Sequence, residues 1–145
     1  MTAQIPVVVA GALGRMGAEV IRAIQGAEDC TLVGAIDNTP GKEGCDVGLE
    51  LGLGELEVAV TADFEGCLCA VSQSVRDAEA GAVLVDFTHP SVVYDHTRAS
   101  IAYGVHPVIG TTGLSPQQLD DLTQFSAKAS IGGAVIPNFS VGMVL

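Results

Sequence analysis

Basic residues are scarce in this sequence. Six Lys and Arg stand against 17 Asp and Glu, a net charge of −11 over 145 residues. Binding to nucleic acid or to an anionic membrane surface needs clustered Lys and Arg, so both are excluded as expectations. An anionic small ligand is not excluded, because backbone amides at a helix start bind phosphate without a basic side chain. Cysteine is also sparse. Cys30, Cys45, Cys67 and Cys69 contain no C-x-x-C pair, and on a helix Cys67 and Cys69 would point two ways. They are expected to be buried or half-buried free thiols, with no metal site. No apolar run reaches ~18 residues without a charge or glycine, and no secretory leader is expected. The expected compartment is the cytoplasm. His89, His96 and His106 lack metal-site spacing, and no motif places an orienting carboxylate beside them. They are read as loop or surface histidines, with His89 near enough to the Asp86-Phe87-Thr88 turn to line a cleft.

What remains is a globular profile: 48% apolar and 16% charged residues, with 18 Gly and 6 Pro marking turns. The length suits one domain. Short apolar runs alternate with amphipathic stretches. Ile5 to Ala10 is a strand-length apolar run, as expected of a strand buried on both faces. Gly17, Val20, Ile21 and Ile24 follow at helical spacing. Thr31 to Ile36 is a second run, closed by Asp37. Residues 38–54 read as loop, with Pro40 and five glycines, and 41–54 as a mobile loop near the adenine end. Leu56, Val58 and Val60 alternate as a strand would, and Phe64, Leu68, Val71 and Val75 return to helical spacing. Ala82 to Phe87 is a third strand, with Pro90 expected in the first turn of the next helix. Val105 to Ile109 is another strand if Pro107 lies near its start or at an edge. Ser115-Pro116-Gln117-Gln118 is a capping box, and Gly133 to Ile136 is the last strand. This alternation predicts an α/β fold of Rossmann type, a parallel sheet with helices on both faces.

The segment Gly11-Ala12-Leu13-Gly14-Arg15-Met16-Gly17 lies between the first strand and the first helix. Gly11 permits a tight turn, Gly14 a close approach of backbone to a pyrophosphate, and Gly17 close packing of helix on sheet. The G-x-x-G-x-x-G spacing departs from the usual G-x-G-x-x-G. Asp37, 20 residues after Gly17 at the end of the second strand, is placed to accept hydrogen bonds from an adenine ribose. Together they point to a dinucleotide.

Gly14-Arg15-Met16-Gly17, Val85-Asp86-Phe87-Thr88-His89-Pro90, Ile109-Gly110-Thr111-Thr112-Gly113 and Pro137-Asn138-Phe139-Ser140-Val141-Gly142 occur in one order along the chain. In this the sequence resembles the 4-hydroxy-tetrahydrodipicolinate (dihydrodipicolinate) reductases. The resemblance implies an NADH- or NADPH-dependent enzyme that reduces a cyclic dicarboxylate in the diaminopimelate route to lysine, usually as a homotetramer. It implies cofactor contacts by Gly11, Ala12, Leu13, Gly14, Arg15 and Met16, and by Asp37 on the ribose. Phe87, Thr88, Gly110, Thr111 and Thr112 would surround the nicotinamide and its ribose. Ile136, Pro137, Asn138 and Phe139 would complete that end. Thr111 and Thr112 are open to ribose, carboxamide or a substrate carboxylate. The plain alternative for Arg15 is a solvated first-turn arginine.

On the same resemblance, residues 1–137 form the dinucleotide-binding domain. Residues 138–145 form the hinge into a substrate domain, outside this chain, that carries the proton donor. The chain alone is then expected to be inactive and monomeric. Some relatives place Arg directly after the acidic residue, where it pairs with a 2′-phosphate. Here Asn38 and Thr39 follow Asp37, which favours NADH, although Lys42 keeps dual use open. Competing readings are another Rossmann dehydrogenase of amino-acid metabolism, such as an aspartate or homoserine dehydrogenase, and a non-catalytic domain sensing NAD or coenzyme A.

Overall fold

The computed structural model describes residues 4–75 and 81–136. Six parallel strands form one sheet: β1 Ile5–Ala10, β2 Cys30–Ile36, β3 Val60–Thr61, β4 Val83–Asp86, β5 His106–Ile109 and β6 Ala134–Val135. Their spatial order is β3-β2-β1-β4-β5-β6. Between them lie helices α1 Arg15–Gly26, α2 Val47–Glu50, α3 Phe64–Ser74, α4 Val93–Ala102 and α5 Pro116–Ala129. The order reverses between β1 and β4. Connections on the two sides of that point diverge and leave a crevice at the carboxyl ends of the strands, the usual ligand position in such sheets.

The alternation along β1 decides how the layers close. Val7 and Val9 face one side, where they pack with Ile21 and Ile24 of α1 and with Leu32, Ala35, Val47 and Val60. Val8 and Ala10 face the other, against Leu68 and Val71 of α3, Leu84 and Val105. Both faces are therefore covered by helices, as the apolar run of β1 requires, and the expected architecture is the one found.

The capping box is also as expected. Ser115 Oγ accepts from Gln118 N–H at 3.1 Å, and Gln118 Oε1 accepts from Ser115 N–H at 3.0 Å. Pro107 is the second residue of β5, an internal strand, and so near its start.

Three expectations are corrected. The Leu56–Val60 alternation yields a strand only at Val60–Thr61, because the backbone before it bonds to a side chain instead. Asp46 Oδ2 accepts from Leu49 N–H and Leu56 N–H at 3.0 Å each, and Oδ1 accepts from Val58 N–H at 3.1 Å. This knot also corrects the mobile-loop reading of 41–54: it caps the single turn of α2 and buries Val47 fully. The same amides, Leu56 first, hold the Asp46 carboxyl below its usual range. Third, α4 starts at Val93, not at Pro90. Pro90 instead packs against the turn after β5, where a β-carbon on Gly113 would come within 2.6 Å of it.

Candidate functional site

The glycine loop leaves β1 through Gly11, whose φ of +81° suits glycine. Gly11 is pinned on both sides. Its N–H donates to Ile36 O at 2.8 Å, and a β-carbon on it would lie 2.6 Å from Phe87 O. Gly17, inside the first turn of α1, lies closer still: its β-carbon would sit 2.0 Å from Gly11 O. Only glycine lets helix and loop meet there. The first intrahelical bond of α1 is Ala18 N–H to Gly14 O at 2.9 Å. The amides of Arg15, Met16 and Gly17 thus precede the ladder, with the positive end of the helix dipole behind them. No side chain caps this helix. Room for backbone approach, free first-turn amides and no competing cap are what a pyrophosphate requires.

Asp37 closes the loop from β2. Its Oδ2 accepts from Leu13 N–H at 2.9 Å, and its Oδ1 from Thr39 N–H at 2.9 Å and Thr39 Oγ1 at 2.5 Å. The carboxylate orients the glycine loop as well as facing the crevice, and its remaining lone pairs can still take ribose hydroxyls. Gly11, Gly14, Asp37, Phe87 and Thr88 all line one pocket of about 660 Å³ at the switch point, within the range of small-molecule and cofactor sites.

Other expected residues fall elsewhere. Ala12 is fully buried in the core, so only its backbone is available. Leu13 offers its amide to Asp37, and the side chains of Arg15 and Met16 are exposed. Gly110, Thr111, Thr112 and Ile136 lie at the carboxyl ends of β5 and β6, beyond the residues lining the pocket. Thr111 is buried and its hydroxyl donates to Asp86 O at 3.3 Å, which directs that group into the fold. Thr112 is exposed. Pro137, Asn138 and Phe139 lie outside the described residues.

The pocket wall also contains residues that the sequence did not put forward as ligand contacts: Ala62, Phe64, Ser91 and His96. His96 is the clearest correction. It is not a surface histidine: its side chain is 18% exposed, its Nδ1 lies 3.0 Å from Asp86 Oδ2, and its ring stacks flat on Phe64 at 3.8 Å. Helical spacing carried the signal, since His96 shares the stripe of Val93, Thr97 and Ser100, all buried in α4. Exposed His89 bonds through Nδ1 to Ser91 Oγ at 2.8 Å and lines the pocket as expected. Half-buried His106 bonds to Gly132 O at 2.8 Å.

Lys42 Nζ pairs with Glu50 Oε2 at 2.8 Å and is not among the pocket residues, and that partner raises its pKa. The four cysteines are free and half-buried, as expected, and burial pushes the Cys67 thiol up. Among the described residues no His, Cys, Asp and Glu cluster could hold a metal, and no helix is long and apolar enough to cross a membrane.

A parallel six-stranded sheet in this order, with a glycine turn, an open helix start and an acidic residue meeting at the switch point, defines a Rossmann-type nucleotide-binding domain. The pattern of the family described as "Dihydrodipicolinate reductase, N-terminus" matches residues 5–139. The chain belongs to that family. It is 90% identical over its full length to a 4-hydroxy-tetrahydrodipicolinate reductase of Synechococcus sp. (strain CC9605), covering 52% of that protein. It is 57% identical to the reductase of that name from Synechococcus elongatus, again covering 52%. The chain thus spans about half the length of the curated relatives it matches. Among solved structures, a dipicolinate-bound dihydrodipicolinate reductase from Paenisporosarcina sp. TG-14 is similar with a TM-score of 0.72 and 28% identity, over 96% of this chain and 49% of that one. The WlbA dehydrogenase of Thermus thermophilus, at 16% identity and a TM-score of 0.73 over 92% of this chain and 41% of that one, shares the fold.

Proposed function

We propose that this chain is the cofactor half of a 4-hydroxy-tetrahydrodipicolinate reductase, binding NADH or NADPH for reduction of a cyclic dicarboxylate in the diaminopimelate route to lysine. The observation that carries the reading is the convergence of Gly11, Gly14 and Asp37 with Phe87 and Thr88 around one pocket at the switch point. The amides of Arg15 and Met16 would hold the pyrophosphate, and Asp37 the adenine ribose. The loops after β4, β5 and β6, with Thr88, Gly110, Thr111, Thr112 and residues 136–139, would border the nicotinamide. Thr111 serves there through its backbone, since its hydroxyl is engaged, and Thr112 is left to meet ribose or substrate. When bound, the reduced nicotinamide supplies the hydride. The chain's own residues fix its position; the proton donor, the main substrate contacts and the closure that excludes water belong to the other half of the relatives' length. The assembled enzyme is a cytoplasmic homotetramer in this reading.

The test joins this chain to the remaining half of its 90%-identical Synechococcus relative. The joined protein should oxidise NADH or NADPH when given 4-hydroxy-tetrahydrodipicolinate, and this chain alone should not. A folded joined protein with no activity on either cofactor would overturn the assignment.

A further inference from the structure

Asp86 has no exposed surface, and its carboxylate bonds to Thr88 and His96, both of which line the crevice. Oδ1 accepts from Thr88 N–H at 2.9 Å and from Thr88 Oγ1 at 2.5 Å. Oδ2 faces His96 Nδ1 at 3.0 Å. Its main-chain oxygen takes Gly110 N–H at 2.9 Å and the Thr111 hydroxyl at 3.3 Å. One residue thus ties together the loop after β4, the loop after β5 and helix α4. A carboxylate out of water persists only while its oxygens are served. His96 is the partner of Oδ2, and Nδ1 must carry the proton to serve it. The ring is held for that task by its stack on Phe64, at an interplanar angle of 8°.

We propose that His96 is a positioning residue for the dinucleotide, acting through Asp86 to hold the Phe87–Thr88 turn against Gly11. This rests on the cofactor-binding reading above. Without a donor at Nδ1, Asp86 Oδ2 loses that partner, and the carboxylate must turn or shift to find another. Either change loosens its hold on the amide and hydroxyl of Thr88. The Phe87 carbonyl, now so close to Gly11 that no β-carbon fits between them, then loses that support and shifts toward the pocket it borders.

Three variants of the chain, titrated with NADH by calorimetry well below their melting temperatures, test this. His96→Phe keeps a flat ring for Phe64 and removes the donor. His96→Gln stays polar but carries its amide beyond the Nδ1 position. His96→Asn restores an N–H near that position. The first two should raise the Kd about tenfold or more, as loss of a supporting partner does at other sites, and should lose hydrogen-exchange protection at Thr88 N–H. His96→Asn should return the Kd to within about threefold and restore protection. If His96→Phe does not fold, His96→Gln carries the same test. Unchanged affinity in a folded His96→Phe or His96→Gln chain overturns the proposal while leaving the cofactor reading intact. Equal weakening in all three overturns it too, because the ring would then touch the ligand directly. Absence of NADH binding in the unsubstituted chain overturns the cofactor reading and this inference with it.

Discussion

Gly17→Ala is the sharpest perturbation the glycine loop offers. The added β-carbon would stand 2.0 Å from Gly11 O, 2.7 Å from Gly11 C and 3.1 Å from Ala12 Cα. Ordinary carbon–oxygen contact is ~3.3 Å, so the two must separate by about 1.3 Å. The loop cannot yield, because Gly11 is bonded to Ile36 O behind it and pressed on Phe87 O beside it. The start of α1 must therefore back away, and with it the core contacts of Ile21 and Ile24. Overpacking of this kind costs about 1–3 kcal/mol, of which alanine's better helix propensity returns at most ~1. A net loss of about 1–2 kcal/mol lowers Tm by roughly 2–8 °C for a chain of this size. Displacing the Arg15 and Met16 amides by that distance should also weaken NADH by roughly ten- to a hundredfold, as misplacement by ~1 Å does elsewhere. Thermal unfolding by circular dichroism and calorimetric titration read the two effects. Gly26→Ala is the control: it lies in the same helix with nothing within 4 Å of its added carbon, and should be neutral or stabilising by up to ~1 kcal/mol. A Gly17→Ala chain that melts no lower than the unsubstituted one and binds NADH as tightly would refute the reasoning.

Ser115→Ala removes one arm of the capping box and should cost about 1 kcal/mol, read as a fall in denaturation midpoint at unchanged slope. Asp46→Asn tests the loop knot through pH. The folded-state pKa of Asp46 is lowered, so its contribution is present above the unfolded value of ~3.9 and is lost as pH falls through the lower folded value. The stability difference between the unsubstituted chain and the variant should therefore be largest near neutrality and shrink toward pH 3; a constant difference would contradict it. Lys42 is held by Glu50, and no Lys or Arg is among the described residues lining the pocket, so the chain should prefer NADH. Glu50→Gln, releasing Lys42, should move the affinity ratio toward NADPH by roughly two- to fivefold, the range of an exposed ion pair; no movement in paired titrations would show that Lys42 does not reach the ligand.

Much of this was legible in the residues because local and global demands agree. The Ile5–Ala10 run is apolar at every position apart from the turn it leads into, and the structure buries both its faces. Gly11, Gly14, Gly17 and Asp37 were legible because close approach and hydrogen-bond acceptance leave few residue types to choose from. The segment from 38 to 58 was not, because its order comes from one carboxylate collecting amides up to 12 residues away, which no periodicity records. The polar stripe of α4 concealed His96 for a related reason. Its partner Asp86 lies ten residues earlier on another element, and only the packing of α4 against the sheet joins them. Thr111 shows the converse, a motif hydroxyl facing the interior where the sequence suggested ligand.

The central claim is that the pocket formed by Gly11, Gly14, Asp37, Phe87 and Thr88 holds a nicotinamide dinucleotide. Its most direct test is calorimetric titration of this chain with NADH and NADPH, beside an Asp37→Ala variant. Saturable binding at one site per chain, tighter for NADH and weakened by the substitution, is the predicted result. No saturable binding of either dinucleotide, or equal binding by the Asp37→Ala chain, would contradict it.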